Sequence, residues 1–250
     1  LFKKWFRRQC ARVPVRNAAA VPVPREAPWT AGIRAARANV VPALMVQLAM
    51  LALLLAYYFY PPTTAWLDSL AALKARWGYC YSVVASIAAG ALVPEILRIL
   101  VFQRGKATRT NARNLLFTIP FWSVLALCVD LLYRCQAGWF GNEVTFVVVA
   151  KKVLVDQFLF CPLVSGPMTV WFYDFKNRGR LACGVREFFT AAHYRDAVVP
   201  VVFATWGVWI PLVSIIYSLP PLLQIPMFAL ALSLWVVLYT WISEQYRRPD

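Results

Sequence analysis

Residues 40–60 read VVPALMVQLAMLALLLAYYFY, 21 positions without a charge. As an α-helix the stretch would be ~31 Å long, about the thickness of a bilayer's hydrocarbon core. Apolar runs of similar length recur, above all at 197–219 and 222–242. With 61% hydrophobic residues and a mean hydropathy of +0.58, the chain lies outside the range of ordinary soluble domains. No ten-residue stretch alternates with period two, which argues against the strands of a barrel. The expected fold class is therefore all-α, a polytopic transmembrane helical bundle of about six spans.

Toward the N-terminus, residues 1–39 form a basic, proline-containing extension with nine basic side chains against one acid, Glu26. Phe2, Trp5, Phe6 and Gln9 share one face of a short helix, with Lys3, Lys4, Arg7 and Arg8 around the other. Such a face fits an anionic lipid surface, cardiolipin included, or a partner protein. Pro14, Pro22, Pro24 and Pro28 predict an extended path after it. The start, arginine-rich, acid-poor and without an initiator methionine, has the bias of a mitochondrial targeting region and is expected to be a processed or truncated end.

On the other side of 40–60, Pro61-Pro62 stops the span. Residues 61–76 read as an amphipathic interfacial helix, capped by Thr63 or Thr64, with Trp66, Leu70 and Leu73 along one side. A membrane bundle is expected over 77–242, with spans at about 77–102, 115–133, 153–173, 197–219 and 222–242, and a polar tail over 243–250. Pro220-Pro221 joins the last two spans into an antiparallel hairpin.

The net charge of +15 would suggest nucleic acid in a soluble protein. Here the basic residues sit beside apolar spans, and six spans divide them twenty to five between the two sides of the membrane. That bias places both termini on the inner side and makes nucleic acid an unexpected partner. A mitochondrial inner membrane with matrix-side termini is expected, with a peroxisomal or plastid membrane as the alternative. Cys10, Cys80, Cys128, Cys135, Cys161 and Cys183 form no C-x-x-C pair, and the four within apolar segments read as small buried residues. His193 is the whole imidazole supply and falls in a charged connection, where an exposed surface position is expected. No metal site, cofactor or catalytic residues are expected, and the protein reads as a non-enzyme.

Three acids fall in or beside spans, each with a basic partner one turn away. Glu95 and Arg98 are three apart, Lys152 and Asp156 four apart, and Asp130 precedes Arg134 by four. Ionisable groups at such depth are costly and mark function by default. Local pairing favours static neutralisation over an ion path.

The run from Lys152, K-V-L-V-D-Q-F-L-F-C-P, carries the pattern K-x-x-x-D-Q-x-x-x-x-P at Lys152, Asp156, Gln157 and Pro162. It resembles the signature of the peroxisomal membrane protein 22 kDa family, four-helix proteins of peroxisomes and the mitochondrial inner membrane. Trp209 to Pro221, with Tyr217, is similar to a second family segment, and Trp235 and Trp241 to its paired C-terminal tryptophans. The resemblance covers about residues 66–242; the span at 40–60 and the basic extension are additions. It implies a weakly selective pore for ions or small metabolites, lined by Glu95, Arg98 and Asp156. Polar family positions near Pro94, Leu127 and Ile225 are replaced here, which favours the other expectation: a structural or accessory subunit of a larger mitochondrial membrane complex of the respiratory-chain type. Trp206, Trp209, Trp235 and Trp241 would then meet lipids and other membrane subunits.

Overall fold

The computed structural model describes residues 27–178 and 188–245, with the side chains of 177, 178, 239 and 241–245 outside the description. The expectations on Lys3, Lys4, Trp5, Arg7, Arg8, Cys10, Cys183, the Trp241 side chain and residues 246–250 fall outside the described residues.

The described chain is helical. Helix α1 is Pro28–Ala38, α2 Val40–Phe59, α3 Pro61–Trp77, α4 Tyr79–Phe102 and α5 Arg109–Phe140. Residues 146–178 form α6, α7 is Ala191–Tyr217 and α8 Pro221–Gln245. Five of these, α2, α4, α5, α7 and α8, have a stretch long and apolar enough to cross a membrane. The segment expected as another span, 153–173, lies in α6 and is not among the five. There the helix is cut into Phe146–Val155, a π-helical Asp156–Ser165 and Gly166–Arg178.

Proline explains most of the π-helical turns. Ala88–Leu92 precedes Pro94, Asp156–Ser165 contains Pro162, and Tyr194–Val198 precedes Pro200. Proline offers no N–H and crowds the carbonyl four residues back, so the turn before it widens instead of breaking. Pro28 does not prolong an extended path, as the proline-rich extension suggested. It occupies the first turn of α1, where its missing N–H costs nothing. Helix α3 likewise begins at Pro61, its N-cap position being Tyr60; Thr63 and Thr64 lie inside the helix, and the Thr64 hydroxyl donates to the Tyr57 carbonyl at 2.5 Å.

The chain divides into two compact units. In the first, which takes residues up to Val40 and Leu159–Gly207, Cys161, Val170, Val198, Val201 and Val202 make a small core. Gly32 of α1 lies so close to Pro200 of α7 that a Cβ there would stand 2.5 Å from the Pro200 carbonyl oxygen. His193 is half-buried rather than exposed, its ring 4.9 Å from Phe188. The phenyl face supplies the cover that a reading of the flanking charges could not supply.

The second unit takes Val41–Phe158 and residues from Val208 on. Here α8 packs across α3, α4 and α5. Leu67, Leu212, Ile216, Leu219, Leu223, Met227 and Leu232 are fully enclosed. Helix α2 joins the end of α7 by two side chains: Gln47 Nε2 donates to the Val208 carbonyl at 3.1 Å, and the Tyr58 hydroxyl to that of Ser218 at 2.8 Å. Among the cysteines expected to be buried, Cys161 is, Cys128 and Cys135 are half-buried, and Cys80 is exposed. Cys80 lies in the first turn of α4, on the side turned away from the protein.

Candidate functional site

Ionisable side chains of the second unit gather in three clusters, and the antiparallel pair α4–α5 sets the level of two of them. At one end, Asp130 of α5 accepts from Lys74 of α3, from Ser82 of α4 at 2.6 Å and from Arg134 at 3.0 Å. Lys74 also donates to the Gly78 carbonyl at 3.0 Å and to Ser82 Oγ at 2.6 Å, so its three protons are all committed. Burial holds its ammonium below the ordinary lysine range, and the Asp130 carboxylate opposes that shift. At the other end, Glu95 of α4 pairs with Arg98, as the three-residue spacing predicted. It also accepts from Asn111 at 2.7 Å and Asn114 at 3.0 Å, both on α5. Asn111 closes a capping box with Thr108, so one residue both starts α5 and helps neutralise a buried acid.

Between these ends the pair is uncharged. Residues 83–94 of α4 and 115–129 of α5 carry no Asp, Glu, Lys, Arg or His. Along α5, Asn111 and Asp130 are roughly 28 Å apart at the rise of an α-helix. Halfway, Gly90 faces Trp122 so closely that a Cβ would stand 2.2 Å from the indole ring. Only a glycine lets the two backbones approach with a tryptophan between them.

The third cluster holds the motif residues. Asp156 and Lys152 do not pair: among the described residues Lys152, though buried, makes no ion pair. The turn between them is α-helical, the Asp156 N–H donating to the Lys152 carbonyl, so what separates the pair is the choice of other partners. Asp156 accepts instead from the Tyr217 hydroxyl at 2.6 Å and from Gln157 Nε2 at 2.9 Å. The Tyr133 ring lies 5.0 Å from that of Tyr217, and Gln136 Nε2 donates to the Lys152 carbonyl at 3.1 Å. Since Tyr133 and Gln136 follow Asp130 on α5, this cluster belongs to the same end as Lys74 and Asp130.

The other expected residues are scattered. The Pro162 carbonyl accepts from the Tyr194 hydroxyl at 2.9 Å. Trp209 packs on Phe228 at 5.3 Å, Pro221 opens α8, and Trp235 is half-buried. Sequence spacing missed the Lys74–Asp130 pair, whose members are 56 residues apart. One signal was present: Lys74 lies seven residues after Leu67, on the same face of α3.

An open cavity of about 460 Å³ lies along Phe146, Val149, Ala150, Val153, Leu154, Ser214 and Ser218. The two serine hydroxyls donate to carbonyls of their own helix, so the groove presents an apolar lining. Among the described residues no three metal-ligating side chains come together.

No family model matches the chain, and neither the curated proteins nor the solved structures yield a match.

Proposed function

We propose that the chain is a non-enzymatic membrane protein that works by packing, as a structural or accessory subunit of a larger complex of the mitochondrial inner membrane, of the respiratory-chain type. The observation that supports this reading is the separation of the charged clusters. They lie at the two ends of α4 and α5, each closed by its own hydrogen bonds, with an uncharged layer and the Gly90–Trp122 contact between them. Charges so placed clamp two helices together. A path for ions needs polar groups through the middle of the bilayer instead.

The weakly selective pore remains the second reading, because Asp156 and Tyr217, from two separate stretches similar to the peroxisomal family, meet in one hydrogen bond. That meeting also serves the packing role, since a buried carboxylate and a buried phenol satisfy each other. Native separation in mild detergent distinguishes the readings. A packing subunit migrates with a large assembly, and the reconstituted chain shows no conductance. Migration as a free monomer, with a conductance that changes in Asp156→Asn, refutes the packing role.

A further inference from the structure

Exposed aromatic side chains crowd one end of the second unit. Tyr58 and Tyr60 end α2, Trp77 and Tyr79 flank the α3–α4 junction, Trp139 is near the end of α5, and Phe146 starts α6. Aromatic rings collect where a membrane protein meets the headgroup region, so this end lies at a membrane–water boundary.

Helix α3 connects α2 to α4 and has three distinct sides. Leu67 and Lys74 face inward and are buried. Trp66, Leu73 and Trp77, with the half-buried Leu70 among them, form a ridge at positions i, i+7, i+11 and i+4 that the protein leaves uncovered. Asp68 and Arg76 are exposed away from the ridge. An apolar ridge between a protein face and a polar face is the form of a helix lying in the plane of a bilayer surface.

At the C-terminal end of this helix is a prepared cation. Arg134 spends its Nε on Asp130 and lays its guanidinium over the Tyr79 ring, 4.3 Å from the centroid. Its side chain is 49% exposed, and its two terminal nitrogens have no protein hydrogen-bond partner among the described residues. A guanidinium fixed from behind and open in front matches the paired oxygens of a phosphate. Arg76, exposed in the last turn of α3, adds a second positive charge beside the junction.

We infer that this junction is a binding site for an anionic phospholipid, with the phosphate held by Arg134 and Arg76 and the acyl chains lying along the Trp66–Trp77 ridge. Lys74 takes no part, because its protons are already committed inward. The site would fasten α3 to the bilayer from outside, as Lys74 fastens it to the protein from within. It rests on the membrane fold alone and holds whether or not the chain joins a complex.

The test uses the full chain in phosphatidylcholine vesicles with spin-labelled phosphatidylglycerol or phosphatidylcholine as probe. The wild type is expected to prefer the anionic probe, and Arg76→Gln to reduce that preference about fivefold, the share of one surface cation. Arg134→Gln is expected to act in the same direction. Should that variant fail to fold, Arg76→Gln carries the test, because Arg76 makes no ion pair or side-chain hydrogen bond among the described residues. An unchanged preference in Arg76→Gln overturns the proposal. In native membranes, a photoreactive phosphatidylglycerol is expected to label peptides within 66–77. A protein cross-link there, without lipid labelling, assigns the ridge to a partner subunit and likewise overturns it.

Discussion

Replacing either member of the Lys74–Asp130 pair should loosen α3 from the bundle. Lys74→Met leaves Asp130, 2% exposed, with Ser82 and Arg134 as its remaining partners. Asp130→Asn leaves the Lys74 ammonium, 5% exposed, with neutral acceptors alone: the Gly78 carbonyl, Ser82 Oγ and the new amide oxygen. Breaking a buried pair from one side strands the other charge, at about 3–5 kcal/mol. Lys74→Met belongs at the low end, about 3 kcal/mol, because Arg134 still neutralises the carboxylate. Asp130→Asn belongs nearer the high end, because no second acid is at hand. The double variant Lys74→Met/Asp130→Asn removes both charges and should fall short of the sum of the singles by about 2 kcal/mol or more. Reversible unfolding in mixed micelles, followed by circular dichroism, gives all three values. Hydrogen exchange then locates the loss: amides of α3 should open first, those of the α4–α5 pair later. Singles below about 0.5 kcal/mol, or strictly additive singles, refute the reasoning and leave apolar contacts such as those of Leu67 as what holds α3.

Three further outcomes follow from the other contacts. Gly90→Ala should cost about 1–3 kcal/mol in the same assay, because the added methyl enters the Trp122 ring, and Trp122→Leu should suppress that cost; equal cost in both backgrounds would place the strain elsewhere. Tyr217→Phe should cost about 1.5–3 kcal/mol by stripping the hydroxyl from the Asp156 carboxylate, whereas Asp156→Asn, which keeps an acceptor and discards the charge, should cost less; the reverse order in unfolding measurements contradicts the assignment. Glu95→Ala should cost about 3 kcal/mol by leaving Arg98, Asn111 and Asn114 without their acceptor, and added salt should not change this, since Glu95 is 4% exposed; a strong salt dependence would mean the cluster is wet.

Much of the helix plan was legible before any coordinates. Four of the five crossing helices lie close to expected spans, three of them on uncharged runs, and the Pro61 start of α3 was marked by the Pro61-Pro62 pair. Helix α5 is longer than its apolar stretch, running from Arg109 to Phe140, because the Thr108–Asn111 capping box and the later polar turns extend it beyond the hydrocarbon layer. Pairings inside one helix divided by the competing partners: Glu95–Arg98 closes, while Lys152–Asp156 does not, since Asp156 accepts from Tyr217 and Gln157 instead. The expected family resemblance singled out Asp156 in the run 152–162 and Tyr217 in the run 209–221, but nothing in either stretch says that the two touch.

The amino-acid sequence by itself determined that this is an all-helical membrane protein, because hydrocarbon admits a backbone only when each segment satisfies its own hydrogen bonds, and apolar length reports such segments directly. Only the tertiary structure decided which charges neutralise one another. Lys74 finds Asp130 and Asp156 finds Tyr217 across 56 and 61 residues of chain, at places set by how α3, α4, α5 and α8 pack. Local spacing records the neighbours on one helix; the approach of two helices depends on shapes such as the bare Gly90 against Trp122, which a linear pattern does not encode.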